Sequence, residues 1–186
     1  YYINDAGSQV ETLARSAYLR YRAAYGEAIT IPTGMYPGEY LKTVGEALRQ
    51  EYGGTLLDEE EDTWLPEVKQ FAIDAMMAII KEDLHHLGIA HDVFTSEQSL
   101  HDTQWIDKGI ATLQDKGLVY RGTLEAPKGK APEDYEAAEQ TLFRSTDFGD
   151  DCDRPIIKSD GNYTYFAGDI GYSAHKLERG FDTLVM

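Results

Sequence analysis

Tyr165 and Asp169 stand four residues apart in the segment TYFAGDIGY, residues 164 to 172. On a helix that spacing sets both side chains over one patch of surface. A carboxylate offers two coplanar acceptors, and a phenol offers a flat face and a hydroxyl. Together they suit the planar, permanently charged fork of a guanidinium, so the pair predicts arginine as ligand. Spacing alone favours a plainer reading, a surface aspartate near a core tyrosine. Tyr172 continues the same face three residues after Asp169, where it either lines the pocket or packs. Gly168 and Gly171 bracket Asp169, and each costs a helix about 1 kcal/mol relative to alanine. The expected pocket is therefore loosely ordered.

Other chemistry is weakly signalled. Asp147, Asp150, Asp151 and Asp153 crowd one loop and suggest calcium, but their spacing is not that of an EF-hand, and Arg154 and Lys158 are near enough to neutralise part of the charge. An acidic calcium-binding module stays as a minor alternative. His85, His86, His91, His101 and His175 lack zinc spacing with a second ligand class, so no metal site is expected. Neither a phosphate-cradling P-loop nor a Gly-x-Ser-x-Gly or Cys-His nucleophile pattern occurs.

Length and charge narrow the class. A chain of 186 residues suffices for one domain with a sizeable core. The sequence has no apolar run of ~18 residues and no charged-then-apolar leader, so no membrane span is expected. The start at Tyr-Tyr-Ile, without methionine, reads as an internal position. Cys152 is the single cysteine, which excludes an internal disulfide and fits a reducing cytoplasm. The net charge of -16, without a basic stripe, argues against a free-standing nucleic-acid module, because phosphate contacts need Lys and Arg.

The elements that must position these residues follow from periodicity and punctuation. Residues 1 to 3 read as a strand end and Asn4 to Gly7 as a turn. Ser8 with Glu11 forms a capping-box pattern opening a helix that Gly26 stops. A short helix is expected from about Glu39 to Glu51, and the acidic run Asp58 to Asp62 reads as a solvated loop. Thr63, with Pro66 in the first turn, opens a helix whose stripe is Val68, Phe71, Ala72, Ala75, Met76, Ile79 and Ile80, ended by Gly88. Ile89 to Phe94 reads as a strand in parallel crossover, and Asp102 to Lys116 as a helix. Leu118 to Leu124 reads as a strand and Ala126 to Pro132 as a loop, while Leu142 to Thr146, Pro155 to Lys158 and Tyr163 to Phe166 suggest a small antiparallel sheet inserted in the fold. Residues 169 to 179 read as a helix and Phe181 to Met186 as a strand.

Three blocks carry a resemblance: YYINDAGSQV at 1 to 10, HDVFTSEQSL at 91 to 100, and TLFRSTDFGDDCDRPIIKSDGNYTYFAGDIGY at 141 to 172. In order and spacing they resemble arginyl-tRNA synthetases, class I aminoacyl-tRNA synthetases, across essentially the whole chain. The HIGH and KMSKS signatures are absent, so the likeness is to an internal piece of the catalytic domain. It implies an α/β fold, a Rossmann-like parallel sheet with helical and small antiparallel insertions, here incomplete. Residues 1 to 97 would be the first half of the nucleotide-binding fold with 27 to 62 inserted, 98 to 162 the connective insertion, and 163 to 186 the start of the second half. The implied activity is ATP-dependent joining of arginine to tRNA(Arg), with ATP and Mg2+ as substrate, no prosthetic group, and a monomeric, cytoplasmic parent enzyme. Tyr165 and Asp169 match the arginine-reading pair. Gly168 and Gly171 depart from the usual larger residues. Asn4, Asp5 and Gln9 match a strand and turn at the ligand edge of the sheet, against helix capping as the alternative for Asn4 and Asp5. Ser96 and Glu97 are candidate contacts to substrate or the tRNA acceptor end. No catalytic residue is expected in this stretch. An arginine-binding or interaction module without ATP chemistry, as in a degenerate paralogue, is the alternative.

Overall fold

The computed structural model describes residues 1–124 and 138–184. The chain divides into two compact units, Tyr1–Ser96 and Glu97–Met186.

The first unit holds β1 (Tyr2–Ile3), α1 (Ser8–Ala24), α2 (Tyr40–Tyr52), α3 (Glu61–His86) and β2 (Thr95–Ser96). Its core lies among the three helices. Tyr18 stacks on Trp64 with ring centroids 3.7 Å apart, and both rings are buried with Tyr21, Leu41, Leu48 and Val68. Buried phenols need hydrogen-bond partners. The Tyr18 hydroxyl donates to Leu56 O at 2.8 Å and the Tyr21 hydroxyl to Gly53 O at 2.7 Å. Burial pushes both pKa values up. α1 and α2 touch at Gly45, where a Cβ would come within 2.5 Å of the Arg20 carbonyl carbon. β1 and β2 pair in parallel, Tyr2 with Thr95 and Ile3 with Ser96, so the helices between them form a crossover.

Several boundaries differ from the sequence expectation. α1 starts at Ser8 with Gly7, not Asn4 or Asp5, as the N-cap residue, so Ser8 lies inside the helix and the Ser8–Glu11 capping box does not form. α3 starts at Glu61, not Thr63. The last two residues of the acidic run thus occupy its first turn, where negative charge favours the helix dipole. Pro66 sits one turn in rather than at the start. Ile89 to Phe94 forms no strand; Ile89 and Val93 are exposed, and pairing begins at Thr95. Gly88 at φ 74° ends the helix as expected.

The second unit holds α4 (Glu97–Asp102), α5 (Trp105–Asp115), β3 (Val119–Gly122), β4 (Gln140–Phe143), a 3-10 turn (Ser145–Phe148), β5 (Arg154–Ile157) and α6 (Tyr165–Glu178). The strands form an antiparallel sheet in the order β3-β4-β5, with Tyr120 opposite Leu142 and Thr141 opposite Ile157. Thr141, Leu142 and Ile156 are its buried residues. The helix expected from Asp102 to Lys116 starts only at Trp105; Asp102 ends α4, a helix the sequence reading lacks, and Gln104, in left-handed backbone at φ 60°, separates the two. Residues Leu142 to Thr146 give a strand only to Phe143, and Thr146 belongs to the 3-10 turn. Tyr163 to Phe166 is not a strand. Tyr163 makes one isolated bridge to Ile157, and α6 begins at Tyr165, four residues earlier than read from sequence. Residues 181 to 184 form no strand. The loop Ala126 to Pro132 lies within 125–137, outside the described residues. Among the described residues no helix is long and apolar enough to cross a membrane.

Candidate functional site

α6 is entered through a braced corner. The Thr164 N–H donates to Ile156 O at 2.9 Å and its Oγ1 to Pro155 O at 2.6 Å, which ties the N-cap to β5. Thr164 itself is extended and spends its hydroxyl on the strand rather than on the helix. Ahead of it, residues 158 to 162 close a turn in which the Lys158 N–H donates to Asn162 O at 2.8 Å and Asp160 Oδ1 accepts from the Asn162 N–H at 2.9 Å. The latter bond holds the Asp160 carboxyl below its usual range. Gly161 takes φ 86°, the left-handed conformation that glycine adopts without penalty.

The glycines inside α6 tighten the unit rather than loosen it. A Cβ at Gly171 would lie 2.7 Å from Ile106 Cγ1 and 2.9 Å from its Cα, and a Cβ at Gly109 of α5 would lie 2.8 Å from Ile170 Cγ2. The two helices therefore approach through reciprocal glycine contacts. Gly168 and Gly171 are both buried, and α6 runs unbroken through them. The expectation of a loose segment is corrected: packing against α5 offsets the propensity cost.

Tyr165, the first residue of α6, is 92% exposed. It lines a cavity of about 450 Å³ together with Glu97, His101, Lys158, Tyr163, Thr164 and Gly168. Asp169 is exposed one turn further along α6 and lines a second, largely apolar groove with Phe143, Phe166 and Leu177. The helix thus carries both residues of the pair at the predicted spacing, but Glu97 is the carboxylate in the Tyr165 cavity. Tyr172 is half-buried, with the Lys176 ammonium 4.5 Å from its ring centroid. In the first unit, Asn4 and Asp5 line a cavity of about 230 Å³ with Tyr2, Val10 and Ile73. Gln9 is exposed on the first turn of α1, and Ser96 is paired with Ile3 at the end of β2.

Sequence reasoning missed His101, Lys158 and Tyr163 as cavity residues. Glu97 and His101 are four apart, and a helix at 97 to 102 would have placed them together, but only Leu100 in that stretch is buried to signal one. By sequence Lys158 falls next to the acidic loop, as a neutralising charge. There Arg154 does the neutralising, at 2.5 Å from Asp150 and 3.2 Å from Asp151, and it holds the Asp150 carboxyl far below its usual range. Asp153 instead accepts from the Tyr120 hydroxyl and from Thr146. Among the described residues no group of His, Cys, Asp and Glu is arranged to hold a metal ion.

Comparison with known proteins adds the decisive observation. A curated arginine–tRNA ligase from Rhizobium meliloti is 60% identical over 188 residues, and one from Methylorubrum extorquens 58% identical over 187. Both alignments cover 100% of this chain. Over its whole length the chain is similar to arginine–tRNA ligases. It spans 32% of the length of those relatives, so the likeness is to about a third of each. A solved structure from Campylobacter jejuni, described as an arginyl-tRNA synthetase, superposes with a TM-score of 0.76 at 29% identity, covering 97% of this chain and 36% of that one. The ligase likeness thus extends to the mixed α/β fold, with its parallel pair and its antiparallel three-stranded sheet. No family model matches the chain.

Proposed function

We propose that this chain is part of the catalytic domain of an arginine–tRNA ligase and that the start of α6 supplies recognition of the amino acid. The observation that carries this reading is end-to-end similarity to such ligases in a chain whose α6 presents Tyr165 and Asp169 one turn apart. The Tyr165 cavity adds Glu97, a further carboxylate, and its size is within the ~300–1,000 Å³ usual for small-molecule sites. The parallel β1–β2 pair with its helical crossover supports the nucleotide-binding architecture of class I enzymes, and Asn4, Asp5 and Gln9 follow β1 at the edge where such sheets bind ligands.

In the reaction, an oxygen of the arginine carboxylate attacks the α-phosphorus of ATP. The new carboxyl–phosphate bond forms as the bond to the β-phosphate oxygen breaks, and pyrophosphate leaves. A hydroxyl of the terminal tRNA ribose then takes the acyl group and AMP departs. Positioning and charge stabilisation dominate such chemistry. Glu97 in the Tyr165 cavity, and Asp169 one turn further along α6 beside the neighbouring groove, are the carboxylates this reading assigns as counter-charge to the guanidinium, and Tyr165 provides a face and a hydroxyl. Tyr172 borders the same helix face, and Ser96 with Glu97 approaches the acceptor end. Groups that handle the ATP phosphates and Mg2+ lie in segments beyond this chain, and no prosthetic group is required. The enzyme would be a cytoplasmic monomer.

The test is ATP–pyrophosphate exchange by the full-length protein. Asp169→Asn should lower kcat/KM for arginine by about 10- to 100-fold, the scale of a charge-assisted hydrogen bond. Lys42→Ala, which removes an exposed pair with Glu39, should leave it unchanged. Equal effects would refute the assignment of Asp169.

A further inference from the structure

We propose that the Tyr163–Asp107 hydrogen bond is the latch that positions Tyr165, so that Tyr163 and Asp107 are positioning residues for amino-acid recognition. This rests on the reading of α6 given above. Tyr163 is half-buried and donates its hydroxyl to Asp107 Oδ1, a short bond joining the strand-to-helix corner to the first turn of α5. The chain between β5 and α6 is otherwise tied back to β5, through Thr164 to Pro155 and Ile156. Tyr163 thus braces the opposite side of the corner, two residues before Tyr165. Its ring also stands 6.0 Å from that of His101, and both line the Tyr165 cavity. The bond donated to Asp107 raises the Tyr163 pKa to about 12, so the phenol stays protonated and able to donate throughout the working range of pH.

Further along, α5 and α6 are fixed by the contacts at Gly109 and Gly171. The residue facing the ligand, however, is at the very first position of α6, where a helix has no preceding turn to hold it. The latch supplies that restraint from α5. Asp107 is itself exposed, so loss of the bond leaves a solvated carboxylate rather than a buried unpaired charge, and the fold should survive.

The experiment is a double-mutant cycle in the full-length protein, read by ATP–pyrophosphate exchange. Tyr163→Phe and Asp107→Ala should each raise KM for arginine about fivefold, while kcat, KM for ATP and the melting temperature stay near wild type. Asp107→Asn keeps an acceptor oxygen and should stay near wild type. The double variant Tyr163→Phe/Asp107→Ala should be no worse than either single. Additive effects, an unchanged arginine KM in Tyr163→Phe, or a parallel rise in KM for ATP would each overturn the latch. Asp169→Asn, run alongside, separates the two levels. If it raises KM for arginine while Tyr163→Phe does not, the latch is wrong and the recognition helix stands. If Asp169→Asn has no effect either, the reading of α6 fails and the latch with it.

Discussion

Single side chains in this molecule are tuned by hydrogen bonds more than by burial, and Asp153 shows the consequence. It accepts from the Tyr120 hydroxyl at 2.7 Å, the Thr146 hydroxyl at 2.7 Å and the Thr146 N–H at 3.1 Å. The bond from Tyr120 is the largest cause of its lowered pKa, and the same bond raises that of Tyr120. A carboxylate with a depressed folded-state pKa contributes stability that is fully present above its unfolded value, about 3.9, and is lost as pH falls through the folded value. Asp153→Asn should therefore lower the melting temperature at pH 7 by roughly 2–4 °C. That gap should shrink as the pH is taken below about 4 and close once it falls below the depressed folded-state value, where the folded wild-type carboxylate is also neutral. Thermal unfolding at several pH values measures it, and an equal gap at pH 7 and at acid pH would contradict the assignment. Tyr165 differs in kind: it is 92% exposed, and its orientation is inherited from the corner that precedes it.

At the scale of elements, the α5–α6 pair shows how tertiary contact overrides local propensity. Gly171→Ala should be destabilising by about 1–3 kcal/mol even though alanine is the better helix former, because the added methyl meets the backbone of Ile106. A melting temperature raised by Gly171→Ala would show that the helices are not held at that distance. The same contest decided what could be read in advance. α2, bounded by Gly38 and Gly53 and striped with Leu41, Val44 and Leu48, lies within a residue of its sequence reading. For α6 the sequence pattern predicts a late start, since Tyr163, Thr164, Tyr165 and Phe166 all favour strands and the two glycines disfavour a helix. Its true start depends on Thr164 being pinned to β5, a contact no local pattern announces. The spacing of Tyr165 and Asp169 was legible because it needs only a helix. The partnership of Tyr165 with Glu97 and Lys158 was not, because those residues are 68 and 7 positions away and meet only when α4 and the 158–162 turn are placed.

For the whole molecule, charge shapes what the chain can do. With 33 acidic residues against 17 basic ones, few cations remain for a polyanion. Arg15, Arg22, Arg121 and Arg154 are moreover within 3.3 Å of carboxylates of this chain. In the proposed enzyme most tRNA affinity would therefore come from outside this third, and the contribution proposed for this third is discrimination of the amino acid. A site built to satisfy a guanidinium leaves polar groups unpaired when another side chain enters. The most direct measurement is the relative rate at which the full-length protein charges tRNA(Arg) with arginine, canavanine, lysine and citrulline. Canavanine, which keeps the guanidino fork, should be accepted. Lysine, a compact ammonium, and citrulline, which has arginine's shape without its charge, should both be rejected by about 100-fold or more. Charging of lysine or citrulline as well as arginine, or exclusion of canavanine while lysine enters, would contradict the account.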